Sequence, residues 1–153
     1  QLDYWCSLNY DFIGAPFPEN INAEVDCVNF TTVGNGGFSL RKVKPIIYLL
    51  NKEYYRLKNW QSLLNSYRER ISRNPLWYLY CILRVIGYKN NIKYIKKNYM
   101  EDLFFSEISR LTSLIKLPDP YTALKFSFEY RPSIAYKLNG MNLPMGCHGW
   151  NQR

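Results

Sequence analysis

Histidine occurs once in the 153 residues, at His148, so any imidazole chemistry runs through that position. Cysteine stands at four widely separated places, Cys6, Cys27, Cys81 and Cys147, with no C-x-x-C pair. That excludes a disulfide framework and a structural zinc site, and leaves plain thiols of a reducing compartment. Long hydrophobic runs are absent too. The longest, Leu76 to Tyr88, has 13 residues and is interrupted by Arg84, whereas a membrane span takes about 20. The start shows no basic-then-apolar leader, and a chain beginning at Gln1 rather than Met reads as a piece of something longer. Acidic residues are scarce in the middle of the chain. Lys42 to Met100 holds 13 basic residues against Glu53 and Glu69 alone, a net of +11, while the remainder is net −3, giving +8 in all.

The composition is 47% hydrophobic, 17% aromatic and 21% charged, with 8 Gly and 8 Pro, which excludes a disordered tail, a collagenous repeat or a low-complexity linker. One domain of mixed α/β class is expected, and a chain of this length buries about 70% of its extended surface. The basic middle suits nucleic acid, an anionic membrane surface or phosphorylated substrates, and equally a solvated helix surface. Its aromatics (Tyr54, Tyr55, Trp60, Tyr67, Trp77, Tyr78, Tyr80) are spaced as on helices, so packing is expected of them rather than stacking on bases.

Residues 1 to 41 read as strand and loop, with a short apolar stretch (Tyr10, Phe12, Ile13) stopping at Gly14-Ala15-Pro16, and with Val28, Phe30 and Val33 leading to a glycine cluster. From Pro45 to Ile71 apolar residues recur at three- and four-residue steps, which predicts one long helix. Asn74-Pro75 ends it and caps a second helix, Leu76 to Ile86, stopped at Gly87. A basic helix is expected from Ile92 to Asn98 and another from Glu101 to Leu114, broken by Pro118 and Pro120. Leu124 to Tyr130 alternates as a strand does, with Phe126 and Phe128 opposite Ser127 and Glu129, though a short helix also fits. Asn139 to Trp150 reads as loop. Residues 43–100 are thus a basic helical insert between two mixed blocks, and no internal repeat is present.

Three constellations bear on chemistry. In Val33-Gly34-Asn35-Gly36-Gly37-Phe38-Ser39-Leu40-Arg41-Lys42, three glycines around Asn35 permit positive φ and let a ligand reach bare backbone N–H groups, with Arg41 and Lys42 adding anion contacts. The local pattern favours a hairpin turn, since Asn-Gly between apolar residues is the strongest short turn signal; neither a Walker nor a dinucleotide spacing is met. Glu101-Asp102 opens a helix. Adjacent carboxylates do not flank one bond as glycosidase pairs do. One of them suits a general base toward a hydroxyl, and both suit helix capping. In Gly146-Cys147-His148-Gly149-Trp150, the histidine suits a metal or phosphate contact, or a structural role; no nucleophile elbow accompanies it.

In order along the chain, YDFIGAPF, VGNGGFSLRK, EDLFFSE, ALKFSFEYRP and LPMGCHGW resemble a bacterial family of glycosyltransferases of the GT-A type, over about Leu2 to Trp150. GNGGFSLR and GCHGW are the most specific pieces, and the basic helical stretch the least. More distantly, the pattern is similar to the galactosyltransferase and fringe group of inverting enzymes.

The resemblance implies Asp102 as the catalytic base and Glu101 as the neighbour that orients the acceptor. It implies Asn35, Gly36 and Gly37 along the sugar site, and His148 as a Mn²⁺ or Mg²⁺ ligand. Asp11 and Arg41 are carried as substrate-binding positions, Asp11 without a specific role; Ser127 and Glu129 match without one. Such enzymes carry an Asp-x-Asp motif after a nucleotide-binding βαβ region, and this sequence contains no D-x-D. The chain is therefore expected to be the C-terminal portion of a GT-A-like domain, inactive by itself, from a metal-dependent enzyme of polysaccharide biosynthesis. Its donor would be a nucleotide sugar and its acceptor a glycan or lipid-linked sugar. A cytoplasmic location, peripheral at the inner face of the membrane, is expected, with no nucleic-acid partner. The rival reading is a non-catalytic basic α/β module that binds nucleic acid or a protein partner.

Overall fold

Phe12 and Ile13 are neighbours in sequence and face different cores, because successive side chains of a strand point to opposite faces. Phe12 joins a cluster with Leu49, Ile92, Phe104, Phe105 and Ile108, its ring stacked 5.0 Å from that of Phe105. Ile13 joins Trp5 and Phe126. The strand between them, β1 (Phe12–Pro18), pairs antiparallel with β2 (Phe30–Arg41), and the hairpin is covered on both faces. The computed structural model describes residues 1–19 and 29–149, so Val28, Cys27 and Trp150 lie outside the described residues.

The class is mixed α/β. Along the chain, α1 (Leu2–Ser7) precedes the hairpin, and α2 (Val43–Asn51), α3 (Trp60–Arg73), α4 (Leu76–Val85) and α5 (Ile92–Asn98) fill the basic stretch. They are followed by α6 (Glu101–Leu111), α7 (Pro120–Phe126), β3 (Ser127–Phe128), α8 (Pro132–Leu138) and β4 (Gly146–Cys147), with β3 and β4 parallel. No helix among the described residues is long and apolar enough to cross a membrane.

Several local expectations are corrected by packing. The first residues form α1 rather than strand or loop, because Trp5 docks edge-on against Phe126 at 5.2 Å. Strand β1 does not stop at Gly14-Ala15-Pro16 but runs through Pro18. Both prolines sit at irregular positions of the ladder, where a missing N–H is tolerated.

The single helix from Pro45 to Ile71 is two. The chain leaves helical geometry at Lys52, pins Leu57 N–H to Asn90 O (3.2 Å), and starts α3 at Asn59, whose side chain accepts the Ser62 N–H at 2.9 Å. Fully buried Asn90 holds this break. Its Nδ2 donates to the Lys58 and Arg84 carbonyls (2.8 and 3.0 Å) and its Oδ1 accepts the Lys58 N–H (3.0 Å). Leu124 to Tyr130 is mostly not strand. Helix α7 ends at Phe126, and Phe126, Ser127 and Phe128 are all buried, so the alternation does not divide inside from outside. Helix α8 lies where sequence periodicity gave no signal.

Candidate functional site

The glycine cluster is not a hairpin turn. It lies inside β2, and its shape follows from register. Ile13 pairs with Leu40 and Ala15 with Asn35, so the single residue Gly14 faces the four residues Gly36 to Ser39. The surplus must bulge out of the ladder. Asn35 shapes the bulge: it is buried, and its Oδ1 accepts the Gly37 N–H at 3.0 Å. Ser39 Oγ donates to Gly36 O at 3.2 Å and accepts from Arg41 Nε at 3.1 Å.

None of Gly34, Gly36 and Gly37 has positive φ, which corrects the expectation that left-handed backbone explains them. They are there for close approach. A methyl on Gly34 would run into the Asp102 carbonyl oxygen and lie 3.2 Å from Ser106 Cβ. On Gly36 it would overlap the Asp102 carboxylate, and on Gly37 the His148 imidazole. Gly14 and Gly146 complete the pattern, the first against Asn35 O and the second against the Phe38 ring. The bulge is therefore gripped by α6 on one side and by the β4 segment on the other.

The structure thus sets Gly36 against Asp102 and Gly37 against His148, with Asn35 shaping the backbone between them. Glu101 and Asp102 occupy the first turn of α6, where the helix dipole favours negative charge. Neither is the N-cap, which is Met100 and makes no side-chain cap bond. Half-buried Asp102 faces Gly36, whereas Glu101 is exposed and pairs with Arg41. The Arg41 guanidinium also lies over the Phe12 and Phe105 rings, at 5.1 and 5.7 Å. Asp11 is occupied differently. Its Oδ2 accepts the Lys116 N–H at 2.9 Å and its backbone exchanges bonds with Lys116 and Lys42, which ties the hairpin to the segment after α6.

Sequence reasoning left Glu129 without a role. Its Oε1 lies 3.2 Å from His148 Nδ1, and the His148 N–H donates to Phe128 O at 3.0 Å, extending the β3–β4 pairing. Glu129 Oε2 and Ser127 Oγ are buried without a hydrogen-bond partner among the described residues. Partial burial pushes the Cys147 thiol up and the Glu129 carboxylate adds to that shift, so Cys147 is a poor nucleophile at neutral pH. A signal for this carboxylate existed in the S-F-E spacing after α7, but its partner lies 19 residues further on.

Tested as a metal site, these residues fall short: His148 and Glu129 supply two donors, and no group of three candidate ligands occurs among the described residues. A hollow lined by Thr32, Val33, Ser106 and Arg110 lies beside the glycine strand and includes none of the expected site residues.

A family model described as "Protein of unknown function (DUF5672)" matches residues 1–148. The chain belongs to this DUF5672 family. The match takes in every residue of the cluster, from Asn35 to His148. No curated protein and no solved structure matches the chain.

Proposed function

We propose that this DUF5672 chain is the acceptor-binding and catalytic part of an inverting glycosyltransferase, the C-terminal portion of a GT-A-like domain. In this reading it transfers a sugar from a nucleotide sugar to a glycan or lipid-linked acceptor. One observation carries the proposal. Two consecutive side-chain-free residues, Gly36 and Gly37, are pushed out of a strand against one carboxylate and the only imidazole in the chain. Turn and capping roles require no such close approach of side chains to bare backbone, whereas a site that brings a sugar hydroxyl to the Asp102 carboxylate uses it.

Asp102 is the base. It takes the proton from an acceptor hydroxyl as that oxygen bonds to the anomeric carbon of the donor, and the bond from that carbon to the diphosphate oxygen breaks. Glu101, held by Arg41, fixes the first turn of α6 and with it the direction of the Asp102 carboxylate. Asn35 holds the bulge that places the backbone beside the acceptor. His148, held through Nδ1 by Glu129, would be one protein ligand to a Mn²⁺ or Mg²⁺ on the donor diphosphate, the other ligands coming from outside the described residues. Two donors do not make that site alone.

The test is Asp102→Asn in the full-length protein, assayed for nucleotide diphosphate release over a panel of nucleotide sugars and acceptors with Mn²⁺ or Mg²⁺. The amide keeps the shape and cannot take a proton. A loss of about 10²–10⁴-fold in kcat is expected, with donor affinity and melting temperature unchanged. Full turnover of the variant removes the base assignment. A wild-type protein that releases no diphosphate, yet binds a partner in a salt-sensitive way, replaces the transferase by a binding module.

A further inference from the structure

We infer that α4 lies on an anionic lipid surface, its apolar face in the headgroup region and the cations of the α3–α4 hairpin at its borders. The inference stands apart from the transferase reading, because nothing in it uses the sugar site.

Helix α4 packs on α3 through a narrow side. Fully buried Cys81 lies there, with the Trp77 and Tyr80 rings against Tyr67, at 5.4 and 5.7 Å. The single charge of α4, Arg84, is turned to the same side, bonded to the Tyr67 hydroxyl and to Lys89 O. The opposite side carries Leu76, Leu79, Ile82, Leu83 and Ile86, with Tyr78 at its edge beside Trp60 of α3. At 100° per residue these cover about 160° of the helix, with no charged residue among them. They are open to solvent: Leu76 is 72% exposed, Leu79 56% and Ile86 65%. A helix whose solvent side is this apolar and this exposed belongs against another apolar phase.

Charge selects the phase. Lys42 to Met100 is net +11. Two copies meeting on this face would bring two such blocks together, which repel, whereas anionic lipid attracts each Lys and Arg near its surface. The borders have the composition of a lipid interface. Along one edge the Tyr78 ring meets Trp60 of α3 edge-on at 5.3 Å, and past the C-terminal end Lys89 lies 5.2 Å from the ring of half-exposed Tyr88. Indole and phenol rings settle at headgroup depth, and long cations cover apolar surface with their stems. Ten residues is too short to span a bilayer, so the helix lies in the plane of the interface.

The experiment is co-sedimentation of the full chain with vesicles of phosphatidylcholine alone and of 70:30 phosphatidylcholine:phosphatidylglycerol, at 0.1 and 0.5 M NaCl. Binding at least tenfold stronger to the anionic vesicles is expected, falling several-fold at high salt. Leu79→Ser/Leu83→Ser should cut that binding at least tenfold with an unchanged circular-dichroism spectrum and melting temperature, since neither side chain belongs to a core. Equal binding to both vesicles, no binding to either, or unchanged binding of the folded double variant overturns the inference. So does a wild-type dimer in sedimentation velocity that the double variant returns to monomer, which would give the face to a second copy. The comparison between vesicles decides even where the variant fails to fold.

Discussion

Glu129 Oε1 sits 3.2 Å from Nδ1 of His148, and the two residues differ sharply in access, with side chains 11% and 54% exposed respectively. The carboxylate is the fixed partner and the imidazole the accessible one. Glu129 follows directly on β3 and His148 on β4, so the parallel pairing of those two short strands sets their separation. A ring held through Nδ1 keeps Nε2 as its second donor or acceptor.

Replacing that carboxylate should be readable at a neighbouring thiol. Burial first, and the negative charge of Glu129 second, hold the Cys147 thiol above its ordinary range. Glu129→Gln removes the charge, lowers the thiol pKa and raises the thiolate fraction at pH 8. Alkylation of Cys147 by iodoacetamide, followed by mass spectrometry, should then run roughly twofold faster than in the wild type. An unchanged rate would mean the two groups are not neighbours in solution.

The glycines should separate into two kinds. At Gly14 and Gly34 a methyl meets backbone oxygens, of Asn35 and Asp102, which move only if strand or helix moves. Gly14→Ala and Gly34→Ala are expected to cost about 2–3 kcal/mol each, a fall of roughly 5–10 °C in Tm. At Gly37 the obstacle is an exposed imidazole that can swing aside, so Gly37→Ala should cost about 1 kcal/mol or less while displacing His148. Thermal melts of the three variants, with the His148 ring resonances followed by NMR, check the division.

Asn90→Leu should be among the most damaging single changes in the basic stretch. It strands the Lys58 N–H and two carbonyls inside the fold. A loss of about 2–3 kcal/mol is expected, seen as a Tm lower by roughly 5–10 °C, although leucine is the more hydrophobic residue.

Asp119 gives a pH signature. The Thr122 hydroxyl (2.6 Å) and the Thr122 and Tyr121 N–H groups (both 3.0 Å) hold its carboxylate below the ordinary range, as the N-cap of α7. A depressed carboxylate stabilises the fold above its unfolded-state pKa of about 4, and that contribution drains away as pH falls through the lower folded-state value. Asp119→Ala should cost about 1 kcal/mol at pH 7, whereas Asp119→Asn, a comparable cap, should cost little. Urea titrations between pH 7 and 2 should show a shallower acid limb in Asp119→Asn than in the wild type.

What the sequence determined alone is what neighbours along the chain decide. Asn74-Pro75 separates α3 from α4 because Pro75 disfavours helix at the residue before it, and the Asn74 side chain takes the Leu76 N–H at 3.0 Å. Ile92 to Asn98 and the start at Glu101 are legible for similar reasons: Asn91 caps by accepting the Tyr94 N–H, and acidic residues suit a first turn. The mixed class and the three motif segments are legible as well. Only the tertiary structure decided what those segments do. Gly36 and Gly37 look like a turn until β2 is laid against β1, because a bulge is a count of residues on one strand against its partner, about 20 positions away. The break at Lys52 depends on Asn90, and the setting of His148 on Glu129 depends on two strands of two residues each. Periodicity sees none of these, since each is a bond between residues whose local sequences carry no mark of one another.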